Sequence, residues 1–425
     1  MLSKELCESY SKILHEELVP AMGCTEPIAL AYAAAVARDI LGTAPERIDV
    51  KVSGSILKNV KSVIVPNTNG LKGIAASIAA GAAAGKAEKK LEVIADVTGD
   101  DIQRIQDFLE NIPINVRHLK TNRAFELVLA EYAGEHSAMV HIVDKHTHII
   151  QARKDKRPLH LTVDKTVQTE ELTDRSMLNV KDIVEFSDTV CLDCITDVLE
   201  RQIEYNTAIS AEGLRNDYGA NLGSTLLFAY GDDVHNRAKA AAAAGSDARM
   251  NGCEMPVVIN SGSGNQGLTC SLPVIEYAKE LGVSHEKLLR ALTLSNLITT
   301  HQKTGIGTLS AFCGAVCAGV GAGAGIAYLH GGGYTEIAHT IVNSIAVLSG
   351  MVCDGAKSSC AAKIAMSVEA GILGYKMYMN GQQFYSGDGI VIGDVESIIK
   401  NVGLIGREGM KQTNEEIINL MVSDC

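Results

Sequence analysis

The segment INVRHLKTNRAFELVLAEYAGEHSAMVHIVDKHTHIIQARK, residues 114 to 154, decides the fold class. Apolar and polar residues alternate along four runs within it, which is typical of half-buried β-strands. Upstream, the runs ERIDVKVSGSILKNV, SVIVPNTNG and LEVIADVT predict further strands, whereas GLKGIAASIAAGAAAG and DDIQRIQDFLENI predict helices. We therefore predict an α/β domain over residues 45–172.

The chain on either side of this domain is predicted to be helical. Residues 1–44 are expected to form a helical segment that packs with the C-terminal domain, and residues 173–425 an all-α domain. The fold class is thus α+β, a mainly α-helical catalytic domain with an inserted α/β domain. The helix in AKAAAAAGSDARMNGC is expected to end at Gly245.

Composition narrows the classes of function. The 425 residues carry a net charge of −12, which argues against binding to nucleic acid. Trp is absent and aromatic residues make up 4%, so many Ala and Gly residues must let helices pack closely. The first residues lack the apolar core of a signal peptide, so a cytoplasmic location with reduced thiols is expected. Residues 309–329 are uncharged but rich in Gly, which favours a buried helix over a membrane span.

Three cysteines suggest a site for a bulky inorganic cofactor. Cys353 and Cys360 lie in GMVCDGAKSSCAAK, residues 350–363, and Cys313 lies upstream in SAFCGAVCAG. Small residues surround them, and their spacing is too wide for a zinc knuckle and unlike a ferredoxin run. Three thiolates around a four-iron cluster would leave one iron open as a Lewis acid. Cys317, one helical turn after Cys313, is the rival ligand.

The run NSGSGNQG, residues 260–267, contains G-x-G-x-x-G before a helix. A helical rather than a β-strand pattern follows it, so the βαβ context of a dinucleotide site is missing. Free N–H groups from Ser261 to Gly267 at a helix N-terminus would still form an anion cradle that suits an amino-acid carboxylate. The loop from Pro66 to Gly73 is a second candidate anion loop or simply a tight turn.

The run MGCTEP, residues 22–27, puts Cys24 just before a predicted helix whose N-cap is Thr25. The helix dipole there favours a thiolate, although a role in packing remains equally open. The CLDC of residues 191–194 is interpreted as core or surface thiols, and the histidines at 136, 141, 146 and 148 do not define a metal site.

These motifs, together with KTGIGTLSAFCGAV (303–316) and AGIAYLHGG (324–332), resemble the L-cysteine desulfidase family, the UPF0597 group. That family is related to the iron–sulfur L-serine dehydratases. The resemblance spans nearly the whole chain. It implies a [4Fe-4S] cluster on Cys313, Cys353 and Cys360, and cleavage of L-cysteine to pyruvate, ammonia and hydrogen sulfide without pyridoxal phosphate. The short gap between the last two cysteines, and MGCTEP in place of the dehydratases' Ser-Ser-His-Thr element, favour the desulfidase branch.

On this basis Cys24 is our candidate general base and Lys303 a catalytic countercharge. The predicted substrate-binding residues are Thr25, Glu26, Asn67, Ser261, Gly262, Ser263, Gly264 and Asn265. Cys425 is a candidate removable fourth ligand of the cluster. Serine or threonine dehydration, a thiol or iron–sulfur redox sensor and, last, an NAD enzyme remain alternatives. The expected partner is the small molecule L-cysteine, with no nucleic acid and no membrane, and a homodimer is compatible with the sequence.

Overall fold

The computed structural model describes residues 2–23, 25–121, 123–159, 172–307 and 310–422. The predicted residues Cys24 and Cys425 therefore lie outside the described part of the chain. The α-helices of the described residues are α1 Lys4–Glu17, α2 Thr25–Leu41, α3 Gly54–Val60, α4 Gly73–Ala84, α5 Gly99–Asn111, α6 Val180–Thr189, α7 Thr196–Arg215, α8 Leu222–Tyr230, α9 Val234–Met250, α10 Gly264–Leu281, α11 His285–Ile306, α12 Ala315–Leu329, α13 Tyr334–Val347, α14 Cys360–Met379, α15 Val395–Leu404 and α16 Lys411–Val422.

The strands build two sheets. They are β1 Pro20–Met22, β2 Arg47–Ser53, β3 Ile114–Leu119, β4 Glu126–Ala133, β5 His136–Val143, β6 Ile149–Lys154, β7 Arg157–Leu159 and β8 Pro256–Val258. Six of them form a sheet of order β3-β2-β4-β5-β6-β7, in which only β2 and β3 run parallel. The α+β class is therefore confirmed. β1 and β8 form a separate antiparallel pair that ties the N-terminal segment to the helical part of the chain.

Two large apolar cores and a small cluster between α8, α9 and α14 are formed by the described residues. One is helical and joins α1 to the helices from α6 onward. The other lies between the six-stranded sheet and the helices α2 and α4. The predicted 1–44 segment is thus divided between them: α1 packs with the C-terminal helices, whereas the Ala-rich α2 packs against the sheet and α4.

Helices α12 and α14 pack with their backbones in contact. A Cβ atom on Gly319 would overlap Ser367, and one on Gly323 would lie 2.5 Å from the carbonyl oxygen of Gly371. Gly319 meets Ser367, and four residues later Gly323 meets Gly371. The residue numbers rise in the same direction along both helices, so the helices are parallel. Only glycine permits this approach, and it fulfils the expectation that small residues would let helices pack closely.

The structure differs from the sequence expectations at three places. LEVIADVT, predicted to be a strand, forms a 3₁₀ turn (Ala87–Glu92) followed by turns. The predicted strand SVIVPNTNG contributes only an isolated bridge at Ile64. Helix α9 continues past Gly245 to Met250, because that glycine packs against Leu268 inside the core rather than capping the helix. Cys191 and Cys194 lie exposed at the two ends of a short 3₁₀ helix, in agreement with their interpretation as core or surface thiols. No helix in the described ranges has the length and apolar character needed to span a membrane.

Glu131 is a buried carboxyl group on the inward face of β4. Its side chain is fully buried, and neither carboxyl oxygen has a hydrogen-bond partner among the described residues. Burial raises the pKa of Glu131 to about 8, with nearby Arg38 acting in the opposite direction. The folded protein therefore holds a proton that the unfolded chain releases above the ordinary pKa of a glutamate, so folding stability decreases as the pH rises from about 4.5 to about 8.

We predict that Glu131→Gln stabilises the protein at pH 8.5 and leaves its stability nearly unchanged at pH 4.5. The expected gain at the higher pH is about 3–5 kcal/mol, because the glutamine has no charge to desolvate. Urea unfolding at both pH values measures it, with the exposed Glu135→Gln as the control. Equal effects of Glu131→Gln at the two pH values would contradict the prediction.

Candidate functional site

A cavity of ≈ 260 Å³ lies where the two cores meet. Its walls come from the N-terminal end of α2, from the turns that precede β4 and follow β5, and from the loops that precede α10, α12 and α14. Ten of the predicted site residues line it: Thr25, Glu26, Ser261, Gly262, Ser263, Asn265, Lys303, Cys313, Cys353 and Cys360. Residues from distant parts of the sequence thus meet at one site.

Three of these ten lining residues, Cys313, Cys353 and Cys360, are the predicted cluster ligands.

The loops that carry the three thiols are held together by backbone hydrogen bonds. The amide of Cys313 donates to the Met351 carbonyl at 2.8 Å, and the amide of Cys353 donates to the Ala311 carbonyl at 2.7 Å. Cys360 is the first residue of α14, and Cys313 lies two residues before α12. Because those helices are parallel and in contact, both of their N-termini, where the helix dipole favours thiolates, face the same cavity.

The groups around the three thiols favour the thiolate form of one of them, Cys353. The Cys313 thiol interacts with Cys353, which lowers the pKa of Cys353 to about 5 and raises that of Cys313. The positive charge of Lys58 also lowers the pKa of Cys353, whereas burial raises the pKa of Cys360. Cations therefore surround a group of thiols that would become negative on losing their protons.

Two buried lysines supply much of this positive charge. Lys58 is 2% exposed, and its Nζ donates to Asn414 Oδ1 at 2.8 Å. Lys303, 8% exposed, donates to the Gly307 carbonyl, and the nearest groups that favour its charged form are Cys317, Cys353 and Cys313. Burial lowers the pKa of both lysines. Lys303 thus faces the thiols.

The opposite wall carries a carboxyl group and an imidazole. Glu26 is buried at the start of α2, and its Oε1 accepts a hydrogen bond from Asn59 Nδ2 at 2.9 Å. The hydroxyl of Thr25 donates to Glu26 Oε2 at 3.3 Å. His146, from the turn between β5 and β6, packs edge-on against Phe125, with 4.7 Å between the ring centres. Burial lowers the pKa of His146, so its imidazole is neutral near pH 7 and able to accept a proton.

The NSGSGNQG run forms a turn that leads into α10, but part of the predicted cradle is already bonded. The Ser261 amide donates to Glu17 Oε2 at 2.9 Å, the Ser263 amide to the Asn260 carbonyl at 3.0 Å, and the Gly267 amide to the Ser263 carbonyl at 3.1 Å. Ser263 makes no side-chain capping bond to α10. The amides of the first turn of α10 are therefore the part of the cradle left for an anion.

Sequence reasoning missed several lining residues, notably Asn59, His146, Arg249 and Gln266. It also missed Lys58, whose charge acts on Cys353. Arg249 lies in the last turn of α9, beyond the position where the sequence suggested a helix end. His146 was considered only as a metal ligand. The four histidines at 136, 141, 146 and 148 gave no signal that one of them would lie at the site.

Three other predicted residues lie away from the cavity lining. Asn67 adopts a left-handed conformation, with φ 59°, and donates from Nδ2 to the Ile94 carbonyl at 2.8 Å. Gly264 begins α10 directly behind Arg249. Cys317, the rival ligand, is buried inside the helical core, where burial raises the pKa of its thiol to about 12.

The donor set fits an iron–sulfur cluster better than a single ion. Within the described ranges, no group of three or more His, Cys, Asp or Glu side chains is arranged to hold one metal ion. A cluster needs a different arrangement, because each cysteine binds a different iron and the thiols stand around a larger body. Three cysteines on a shared cavity, with Lys58 and Lys303 beside them, provide that arrangement and the countercharge.

Comparison with known proteins identifies the family. The profile described as serine dehydratase alpha chain matches residues 88–419, which include the three cavity cysteines. The chain belongs to the serine dehydratase alpha-chain family. It is 56% identical to a UPF0597 protein of Desulfitobacterium hafniense over 98% of this chain and 97% of that protein. UPF0597 proteins of Lachnoclostridium phytofermentans (50% identical; 97% of this chain, 98% of that protein) and Treponema denticola (44%; all of both chains) are also similar. The suspected family membership is therefore confirmed.

The turn between Cys353 and Cys360 yields a test of the site's architecture. Gly355 has φ +97°, and a Cβ atom there would overlap the backbone carbonyl of Lys58. Gly389 also has a positive φ, +65°, but a Cβ atom on it would meet no atom within 4 Å.

We predict that Gly355→Ala destabilises the protein by more than Gly389→Ala and lowers the iron bound per chain. Gly389→Ala should lower the free energy of unfolding by about 1–2 kcal/mol, the cost of a Cβ atom at a positive φ. Gly355→Ala must in addition displace the Lys58 backbone. Urea unfolding and iron analysis of anaerobically purified protein measure the two effects. Equal stability and equal iron content in both variants would contradict this role of Gly355.

Proposed function

We propose that this chain is a carbon–sulfur lyase that cleaves L-cysteine to pyruvate, ammonia and hydrogen sulfide. The observation that carries the proposal is that three thiols and an anion-binding helix N-terminus line the same small cavity. Cys313, Cys353 and Cys360 would hold a [4Fe-4S] cluster, which the resemblance to the cysteine desulfidases also implies. When bound, such a cluster supplies a Lewis-acidic iron toward the departing sulfur.

The protein's own groups would bind and orient the amino acid. The first-turn amides of α10 and the polar side chains of Ser263 and Asn265 would hold the carboxylate. This orientation turns the substrate side chain toward the thiol wall. Lys58 and Lys303 would keep that wall from accumulating uncompensated negative charge.

Removal of the α-proton requires a base within hydrogen-bond reach of the substrate. We propose Cys24, the chain neighbour of the cavity residue Thr25, for this role. His146, neutral and on the same cavity, is the competing acceptor that the fold brings to the site. Loss of the proton and of the sulfur produces 2-aminoacrylate, which hydrolyses to pyruvate and ammonia in water without further catalysis.

Dehydration of L-serine is the second candidate function. The family is described as serine dehydratase alpha chain, and the binding of the amino-acid backbone would be the same for both substrates. The two reactions differ only in the leaving group, since serine loses hydroxide where cysteine loses sulfide. Both release pyruvate and ammonia, so hydrogen sulfide distinguishes them.

We predict that anaerobically purified protein holds about four irons per chain and releases sulfide and pyruvate from L-cysteine. Cys313→Ser, Cys353→Ser and Cys360→Ser should each lose iron and turnover, whereas Cys317→Ser, at a buried thiol off the cavity, should keep both. Faster pyruvate release from L-serine than from L-cysteine would instead establish the dehydratase. Folded wild-type protein without iron and without either activity would refute both functions.

We predict further that Cys24→Ala retains the iron but loses about 10²–10⁴-fold in kcat, the usual contribution of a general base. His146→Gln is the matched variant, and it should reduce kcat less. Iron analysis and steady-state kinetics with L-cysteine measure both variants. The reverse order of effects would assign proton removal to His146, and loss of iron from Cys24→Ala would make Cys24 a ligand.

A further inference from the structure

We propose that Arg249 and Gln266 recognise the carboxylate and the ammonium group of a free α-amino acid. This inference rests on the proposed function for its reaction, but the binding site that it describes can be tested without turnover. Arg249 takes the place of Lys303 as the expected countercharge of the substrate carboxylate. The two side chains together specify a free α-amino acid as the chemical class of the ligand.

Arg249 is a buried cation without a countercharge. It is 6% exposed, its Nη1 donates to Asn265 Oδ1 at 3.1 Å, and its Nε is buried without a hydrogen-bond partner. Among the described residues, no carboxylate lies within salt-bridge distance of its guanidinium group. Burying an unpaired charge costs several kcal/mol, so a cavity that keeps one is built for an anion.

The guanidinium group and the N-terminus of α10 point to the same anion. Gly264 starts the helix, and a Cβ atom there would overlap Arg249 Nε, so glycine makes room for the arginine at this position. Asn265, in the first turn, is hydrogen-bonded to the guanidinium group. A carboxylate held here would accept from both a fixed fork of N–H donors and the free first-turn amides.

Gln266 provides the complementary acceptor. Its side chain is 4% exposed, lines the cavity, and its Oε1 is buried without a donor. It lies against the backbone of Gly314, since a Cβ atom on that glycine would be 2.5 Å from Gln266 Cδ. The residue before Gly314 is Cys313. Gln266 thus stands between the anion corner and the thiols, where the ammonium group of a bound amino acid would donate to its oxygen.

The two buried cations Lys303 and Arg249 lie next to different groups. Its Nζ is bonded to the Gly307 carbonyl and interacts with the thiols of Cys317, Cys353 and Cys313. Arg249 is bonded to the α10 turn instead. One cation therefore serves the thiol wall and the other serves the substrate carboxylate.

The experiment measures binding of L-alanine and of L-alaninamide to the iron-loaded protein by calorimetry. L-alanine has no leaving group, so binding is observed without reaction, and the amide lacks only the carboxylate charge. Wild type should bind L-alanine and discriminate against the amide. Arg249→Met should weaken L-alanine binding about 10- to 100-fold and remove the discrimination, and Gln266→Leu should weaken both ligands. Arg237→Met, the same change on the outer side of α9, is the control and should bind as wild type does.

The outcomes separate this inference from the proposed reaction. The inference would be overturned if Arg249→Met bound L-alanine as tightly as wild type does. It would also be overturned if wild type bound the two ligands equally or did not bind L-alanine. If Arg249→Met does not fold, Arg249→Lys serves, and it should bind L-alanine more weakly while still rejecting the amide. Equal binding of both ligands by that variant would also overturn the inference. If wild type binds L-alanine but converts neither cysteine nor serine, and Arg249→Met loses that binding, the result supports the site and refutes the proposed reaction.

Discussion

The close parallel packing of α12 on α14 is the constraint on which the site depends. Glycines at 319, 323 and 371 let the two backbones come into contact, with the small Ser367 beside them, so the helices start side by side. Cys313 and Cys360 stand at those two starts. The bonds between the Cys313 and Cys353 loops then bring the third thiol to the same cavity. A larger residue in the helix contact would separate the thiols without touching any of them.

The second core supplies the other half of the site. Helix α2 and the six-stranded sheet form one packed unit, and it presents Glu26, Asn59 and His146 to the thiol wall. The cavity therefore exists only where two cores meet, as ligand sites often do. Although the chain carries a net charge of −12, Lys58, Lys303 and Arg249 make this junction locally positive. An acidic protein can in this way hold an anionic substrate and a set of thiolates together.

The sequence predicted those parts of the molecule that depend on local patterns. Strand alternation in residues 114–154 predicted four strands of the sheet, and Gly-rich runs indicated the tight helix packing. The cysteine spacing left Cys317 as a rival, and the family resemblance implied the set Cys313, Cys353 and Cys360, all three of which line the cavity. LEVIADVT was mistaken for a strand because its apolar residues fill the α2 core from turns, a choice made by tertiary packing.

Arg249 and His146 escaped prediction for a related reason. Arg249 follows an Ala-rich run that contains Gly245, and glycine normally marks the end of such a helix. Here Gly245 serves as space for Leu268, so the helix runs on and carries the arginine into the cavity. The local sequence around Arg249 does not show that its charge is buried and unpaired. The local sequence around His146 likewise does not show that its imidazole is buried. Their roles depend on which distant segments surround them.

The two candidate substrates share the anion corner, so selectivity must arise at the thiol end of the cavity. Beside the thiols and their cations, Phe312, Ala315 and Ile364 give that end apolar surface. The sulfur of cysteine needs no hydrogen-bond partner in such surroundings, whereas the hydroxyl of serine would lose its hydration. An apolar pocket nevertheless rejects an added hydroxyl only weakly, by about 10²-fold. If the chain acts on these substrates as proposed, binding would favour cysteine modestly, and the larger share of any discrimination would come from the leaving group, since sulfide departs from carbon more readily than hydroxide.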